Sequence, residues 1–151
     1  EWLMNWFATR SVDWWIMSED LPDPNNRVSV DADGKLRVAY TPNNLKSHGE
    51  LVAHWTKLMR SLGFPLIFTQ KMDITVAMHQ CGTARFGNDP TTSVLDSMCK
   101  VWDVDNLYVV DASFLPSSTA VNPSLTIVAQ ATRTAEHLVK NVLKASARKA
   151  A

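Results

Sequence analysis

His79 and Asn122 are the residues whose types and surroundings best suit catalysis. His79 opens a turn that contains Gly82 and Arg85, and Asn122 directly precedes Pro123. A neutral imidazole takes a proton from a hydroxyl near neutral pH, whereas an amide holds the same hydroxyl by hydrogen bonding and fixes its orientation. The pair therefore predicts a site that deprotonates a hydroxyl. A lone histidine after an apolar segment is also the pattern of a core residue with satisfied hydrogen bonds, and this alternative stays open.

A predicted strand-to-helix junction supplies the second candidate site. The segment "NLYVVDAS" (106–113) predicts a short strand, and the next helix begins near Pro123 after a loop of small residues. The first N–H groups of a helix and its positive dipole end bind phosphates, carboxylates or the electron-rich edge of a flavin. Small residues let a flat cofactor approach the backbone. The same pattern is typical of an aspartate that only caps a helix, so both interpretations remain.

Two further elements precede these sites and must position them. The runs "RVSV" and "KLRVAY" flank "DADG", which predicts an antiparallel β-hairpin with its tip at Asp33-Gly34. A helix is predicted over 44–62, with Asn43 or Asn44 as its N-terminal cap and Gly63 as its end. Residues 65–79 predict a strand that leads to the histidine.

The C-terminal helix is predicted to start with Pro123 in its first turn, where the missing N–H removes no hydrogen bond. Residues at helical spacing predict the apolar face that it turns to the core. They are Leu125, Val128, Ala129, Thr132, Ala135 and Leu138.

Composition narrows the function classes. The chain has 151 residues, is 46% hydrophobic and 20% charged, and has no net charge. It therefore carries no basic surface for a nucleic acid, and no apolar run approaches the length of a membrane span. Cys81 and Cys99 form no C-x-x-C pair, and His48 and His54 are six residues apart, so we predict no metal site. Four of the six tryptophans fall in the first fifteen residues, which is typical of a core, an interface or a pocket wall.

Taken together, the two candidate sites resemble the C-terminal signature of the glucose-methanol-choline (GMC) oxidoreductases. The family pattern is H-x-x-G-T-x-R-M-G-x-D-P, then S-V-x-D, N-L-Y-V-x-D-x-S and N-P-x-L-T. This chain reads "HQCGTARFGNDP" (79–90), "SVLD" (93–96), "NLYVVDAS" (106–113) and "NPSLT" (122–126), with Phe86 in place of the methionine. The segment "MSEDLPDPNNRVSVDADG" (17–34) is also similar to the substrate-domain sheet of that family.

The resemblance implies an FAD-dependent enzyme that oxidises an alcohol (CH–OH) group of a sugar or a small alcohol. It implies that His79 is the base near flavin N5 and that Asn122 is its partner. It also places the D-x-S segment and the N-P-x-L-T turn against FAD. The implied cofactor-binding residues are Asp111, Ala112, Asn122, Pro123 and Leu125. The electron acceptor, oxygen or another compound, stays open.

The implied fold is a mixed α/β (α+β) arrangement. A C-terminal strand and helix belong to a Rossmann-like FAD domain, and an antiparallel sheet belongs to a substrate-binding domain. We predict part of the substrate-binding domain over 1–78, with its helix over 44–62. The C-terminal GMC segment then covers 79–145, and a basic tail covers 146–151.

The family's G-x-G-x-x-G turn is missing from this sequence. The chain is therefore expected to be the C-terminal part of a longer enzyme, inactive on its own and weak in binding FAD. The alternative is a scaffold or binding module that kept the fold and lost the chemistry. No targeting segment is recognisable, which leaves the localisation open and favours the cytoplasm.

Overall fold

Three α-helices and one two-stranded sheet form the regular structure of the part that the computed structural model describes, residues 1–72 and 78–143. In chain order they are α1 (Trp2–Ala8), β1 (Arg27–Val30), β2 (Leu36–Ala39), α2 (Leu45–Ser61) and α3 (Ser124–His137). A short 3-10 turn covers Ala112–Phe114, and α3 continues as a π-helical segment, Leu138–Leu143. This content confirms the mixed α and β class. Helix α1 was not predicted from the sequence.

The predicted hairpin is confirmed. Strands β1 and β2 pair antiparallel, with Val28 opposite Val38 and Val30 opposite Leu36. These four side chains share one face because alternate residues of a strand point the same way, and all four are exposed. Gly34 has a φ of 78° in the turn, a left-handed conformation that glycine adopts without strain. The hairpin is thus formed by its turn and its ladder rather than by burial.

The predicted helix over 44–62 is confirmed as α2, and Gly63 ends it as expected. Gly63 has a φ of 95°, and the N–H of Phe64 donates to the carbonyl of Met59 at 3.1 Å. Together with the bond from Gly63 to Arg60, this is the hydrogen-bond pattern of a Schellman motif.

The predicted cap residue at the start of α2 is confirmed, but the side-chain bond expected of a cap is not formed. Asn44 occupies the cap position in a left-handed conformation without a side-chain capping bond. Its Nδ2 donates instead to the carbonyl of Glu19 at 2.8 Å. The Asn43 amide pairs with both backbone groups of Leu21, at 2.9 and 2.7 Å. Both asparagines therefore hold a distant segment, because each amide finds its partner there rather than in the helix.

The core lies in the C-terminal half and is built largely from loops. Its buried members are Leu95, Cys99, Phe114 and Leu115. Ile127 of α3 packs against this cluster, and the rings of Phe86 and Phe114 meet edge to face at 5.2 Å.

The predicted apolar face of α3 is wrong. Leu125 is 82% exposed and Val128 is 61% exposed, whereas Thr134 is fully buried. Polar side chains of α3 face the core because they form hydrogen bonds there. Thr134 Oγ1 donates to the carbonyl of Met98 at 3.1 Å, and Gln130 Nε2 donates to Cys99 Sγ at 3.3 Å. Hydrogen bonds to the 97–99 loop, together with Ile127, therefore set the orientation of the helix.

Two predicted strands do not form in the described residues. Within 106–113 only Tyr108 makes an isolated bridge, to Lys100, before the 3-10 turn. Val109 N–H donates to the carbonyl of Cys99, so the segment pairs with a turn and not with a neighbouring strand. Residues 65–72 show no strand, and 73–77 lie outside the described residues. The predicted tail over 146–151 also lies outside the described residues. The Rossmann-like assignment and the domain boundaries stay predictions.

Candidate functional site

His79 has a backbone conformation that few residues other than glycine adopt. Its φ is 62°, in the left-handed region, and its side chain is partly buried. Histidine tolerates this region better than most residues, but such a conformation persists only where the surrounding structure imposes it. Residues held in this way cluster at functional sites. The histidine singled out from the sequence therefore lies at a constrained position.

Gly82 brings the loop of His79 against the segment that follows Asp111. It has a φ of 83°, and a Cβ added there would lie 3.4 Å from the carbonyl oxygen of Leu115 and 3.7 Å from that of Pro116. This close approach and the positive φ both favour glycine. The two motifs are thus in direct backbone contact.

Hydrogen bonds continue this contact along the loop. Ala84 N–H donates to the carbonyl of Ser113 at 3.1 Å, and Phe86 N–H donates to that of Phe114 at 3.0 Å. The 79–90 motif and the 111–116 segment therefore run side by side, although they are some thirty residues apart in the sequence.

Arg85 braces the loop rather than facing a ligand. Its Nε donates to the carbonyl of Thr92 at 2.9 Å, and its Nη2 donates to the same oxygen. The backbone carbonyl of Arg85 accepts from Val94 and Leu95. The arginine of the motif therefore stabilises its own loop through these bonds.

Asp111 caps the 3-10 turn that carries Ala112. Its Oδ1 accepts from the backbone N–H of Ser113 at 2.8 Å and also from the Ser113 hydroxyl. The hydroxyl bond first, and then the backbone bond, lower the pKa of Asp111. The capping interpretation is confirmed in this form, on the 3-10 turn and not on α3. Asp111 is exposed and Ala112 is partly buried.

Helix α3 begins without a side-chain cap. Pro123 is buried at the cap position, one residue before the predicted first turn, and makes no side-chain capping bond. The first helical bond runs from Ile127 N–H to the Pro123 carbonyl at 3.0 Å, so the N–H groups of 124–126 precede the helical ladder. Asn122 and Leu125 are exposed beside them. The residues predicted to meet FAD thus offer an open, uncapped helix start.

These contacts join the loop of His79 to the turn of Asp111 and to the stretch that leads to Asn122. The pairing of the His79 and Asn122 side chains around one hydroxyl stays a prediction. The cofactor roles of Asp111, Ala112, Pro123 and Leu125 also stay predictions.

Sequence reasoning missed the segment Ser18–Leu21, which we call the clamp segment. Asp20 N–H donates to the carbonyl of Ser118 at 3.1 Å, and Ser117 Oγ donates to Glu19 Oε1 at 2.8 Å. The clamp segment therefore connects the N-terminal elements to the loop between Asp111 and Asn122. From the sequence, this segment belongs to the stretch 17–34 that is similar to the family's substrate-domain sheet, and nothing in that stretch predicts its contact with the loop.

Two other kinds of site find no support in the described part of the chain. Residues 1–72 and 78–143 contain no group of three or more His, Cys, Asp or Glu side chains that could hold a metal ion. In the same residues, no helix is long and apolar enough to span a bilayer.

Comparison with known proteins identifies the family. The family model for GMC oxidoreductase matches residues 22–131. The 6'''-hydroxyparomomycin C oxidase of Streptomyces lividus is 34% identical over 132 residues, which cover 82% of this chain and 24% of that protein. The 2-methyl-1,2-propanediol dehydrogenase of Mycolicibacterium austroafricanum is 34% identical over 135 residues, with the same coverage of each chain.

A pyranose 2-oxidase from Lyophyllum shimeji is 33% identical over 106 residues, which cover 69% of this chain and 17% of that protein. The chain thus spans a quarter or less of the length of these curated relatives. Because the family model covers most of the chain and includes both site motifs, this protein belongs to the GMC oxidoreductase family and corresponds to its C-terminal portion.

Proposed function

We propose that this chain is the C-terminal catalytic part of an FAD-dependent oxidoreductase that oxidises a CH–OH group of a sugar or a small alcohol. One observation carries the proposal: the loop of His79, with His79 itself at a φ of 62°, packs through Gly82 on the segment after Asp111. A histidine held in a constrained conformation beside the turn that the family resemblance places against FAD is suited to acid–base chemistry.

FAD, when bound, supplies the acceptor for the hydride that leaves the carbinol carbon. The residues of this chain suit such a group, because the uncapped start of α3 presents N–H donors and the positive end of the helix dipole. Asn122, Pro123 and Leu125 would hold it at this end. Asp111 and Ala112 would meet it from the 3-10 turn.

His79 takes the proton of the substrate hydroxyl. Its neutral imidazole accepts that proton as the C–H bond breaks and the C=O bond forms, which gives an aldehyde, a ketone or a lactone. Asn122 cannot titrate, so its amide holds the same oxygen and orients it toward His79.

The names of the relatives support the substrate class and leave the acceptor open. They include a 6'''-hydroxyparomomycin C oxidase, a pyranose 2-oxidase and a 2-methyl-1,2-propanediol dehydrogenase. Sugar and diol substrates both present a CH–OH group. Since oxidases and dehydrogenases both occur among them, oxygen and another acceptor are both compatible with this chain.

The test is flavin reduction without oxygen, in the complete enzyme that carries this chain. We would mix it anaerobically with a panel of sugars and primary alcohols and follow loss of the oxidised flavin absorbance. His79→Asn should slow reduction by about 10²–10⁴-fold, the usual contribution of general-base catalysis. Asparagine also tolerates the left-handed region, so the backbone of the loop is preserved.

His54→Asn is the matched control, since His54 is an exposed residue of α2. It should leave the rate unchanged. Reduction that survives in His79→Asn would remove His79 as the base while keeping the enzyme class. A complete protein without flavin would overturn the proposal and favour a scaffold that kept only the fold.

A further inference from the structure

Two elements, the hairpin and α2, hold the clamp segment through side-chain hydrogen bonds. The hydroxyl of Tyr40, the residue after β2, donates to Asp20 Oδ2 at 2.9 Å. The amide of Asn44 at the start of α2 donates to the Glu19 carbonyl at 2.8 Å. His48 Nδ1 lies 2.9 Å from the hydroxyl of Ser18. The hairpin and α2 therefore hold the clamp segment from one side.

The other side of the clamp segment faces the loop of His79. Asp20 pairs its backbone with Ser118, and both residues act on the thiol of Cys81, two positions after His79. Burial raises the pKa of Cys81, the Ser118 hydroxyl lowers it, and the carboxylate of Asp20 raises it further. Ser118 follows Pro116 by two residues, and the Pro116 carbonyl lies against Gly82, so Asp20 connects the hydroxyl of Tyr40 to the loop of His79.

We propose that Tyr40 is a positioning residue, whose hydroxyl holds Asp20 and, through the backbone of Ser118 and the contact of the 115–116 carbonyls with Gly82, fixes the loop that carries His79. The inference rests on the function proposed above. A left-handed histidine needs surroundings that impose its conformation, and this loop has no helix or sheet of its own in the described residues. The clamp segment supplies a fixed neighbour and links it to the hairpin.

Deletion of the Tyr40 hydroxyl should act on the reaction and on the accessibility of Cys81 together. Tyr40→Phe keeps the ring but leaves Asp20 Oδ2 without its donor. The loop then loosens, His79 is misplaced from the substrate hydroxyl, and the rate constant for flavin reduction falls about tenfold. Substrate affinity changes little, because the Tyr40 hydroxyl acts through Asp20. Cys81 becomes several-fold more reactive toward a thiol reagent, while Cys99, fully buried, does not.

The experiment compares Tyr40→Phe with Tyr108→Phe in the complete, flavin-loaded enzyme. Tyr108 is the other tyrosine, and its backbone pairs with Lys100 in the C-terminal half. Stopped-flow reduction at several substrate concentrations separates the rate constant from the affinity. Labelling with 5,5'-dithiobis(2-nitrobenzoic acid), followed by peptide mass analysis, measures Cys81 without any need for substrate turnover.

A conservative variant separates positioning from mere support. Asp20→Asn retains an oxygen that accepts from the Tyr40 hydroxyl, so its reduction rate should stay near that of the wild type. Asp20→Ala should match Tyr40→Phe.

Unchanged reduction and unchanged Cys81 labelling in Tyr40→Phe would overturn the inference. So would a rate loss that only follows the fraction of folded enzyme. If His79→Asn also reduces at the normal rate, the proposed base fails. The labelling of Cys81 in Tyr40→Phe still decides in that case whether the hydroxyl holds the loop.

Discussion

Residues 1–72 hold both strands and two of the three α-helices of the described chain, whereas residues 78–143 hold nearly all of its buried side chains. In the first region Met59 is buried, while the apolar face of the hairpin lies open to solvent. In the second region, loops and turns enclose Leu95, Cys99, Phe114 and Leu115. Regular backbone and buried core are therefore separated along this chain.

The difference shows what holds the candidate site. Local turn chemistry and a hydrogen-bonded ladder are sufficient to shape the hairpin, even without burial. The loop of His79 has no such local pattern and is fixed by long-range contacts with the 113–116 segment. Substitutions in the two regions should accordingly change the free energy of unfolding by different amounts and, in one case, in opposite directions.

Truncation of a phenylalanine gives the largest expected contrast. Phe114 is 1% exposed in the core, whereas Phe68 is 86% exposed. Phe114→Ala should lower the free energy of unfolding by about 3–5 kcal/mol, because it removes apolar contacts and leaves a cavity. Phe68→Ala should change it by no more than about 0.5 kcal/mol. Urea denaturation followed by circular dichroism measures both, and equal losses would contradict the division into two regions.

A glycine-to-alanine change should destabilise one region and stabilise the other. At Gly87 an added Cβ would lie 2.8 Å from Ser93 Cβ, and Ser93 accepts a bond from the Trp102 indole, so its movement is restricted. Gly87→Ala should cost about 1–3 kcal/mol.

Gly49 lies within α2 with no atom within 4 Å of an added Cβ. Gly49→Ala should therefore add roughly 0.5–1 kcal/mol of stability, because alanine favours the helix. Thermal unfolding of the two variants side by side checks the signs. A gain in Gly87→Ala would show that the Ser93 loop yields, and that the C-terminal region is less tightly packed than described.

Acid should weaken the turn that Asp111 caps. The Ser113 hydroxyl and amide lower the pKa of Asp111 below its ordinary value of 3.8. Because the pKa of Asp111 is lower in the folded chain, ionised Asp111 stabilises the fold at any pH above its pKa in the unfolded chain. This stabilisation is lost as the pH falls through its pKa in the folded chain. The urea concentration at the midpoint of unfolding should therefore decrease as the pH is lowered below about 4. Asp111→Asn, whose amide oxygen accepts the same bonds at any pH, should reduce that fall.

Asp31 in the hairpin turn has a lowered pKa for a similar reason, chiefly its bond from the Lys35 backbone. Asp31→Asn is therefore the matched variant in the N-terminal region. If Asp31→Asn reduces the loss of stability at low pH and Asp111→Asn does not, the acid-sensitive contact lies in the hairpin.

Alkali should produce the smallest effect, at the junction of the two regions. Burial, and then the bond to Asp20, raise the pKa of Tyr40 from 10.0 to about 12. The resulting stabilisation is complete below the pKa of Tyr40 in the unfolded chain. It is lost as the pH rises through its pKa in the folded chain. Tyrosinate absorbance should show Tyr40 titrating near pH 12, and Tyr40→Phe should remove that step. A single titration near pH 10 in the wild type would contradict the Tyr40–Asp20 bond.

Local patterns in the sequence predicted the elements whose signals are self-contained. The hairpin follows from "DADG" between two alternating runs, and the end of α2 follows from Gly63. The strand over 106–113 and the apolar face of α3 were wrong. In each case tertiary hydrogen bonds prevailed: Val109 pairs with Cys99, and Thr134 bonds to Met98.

By itself the sequence determined the family, the candidate base His79 and the turn chemistry of the hairpin. These depend on residue identity and on spacing along the chain. Only the tertiary structure decided that Arg85 braces a loop, that Asn43 and Asn44 hold the clamp segment, and that Asp20 joins Tyr40 to Ser118. Such contacts join residues twenty or more positions apart, or depend on how a loop closes, and no local pattern encodes which polar group will find which partner.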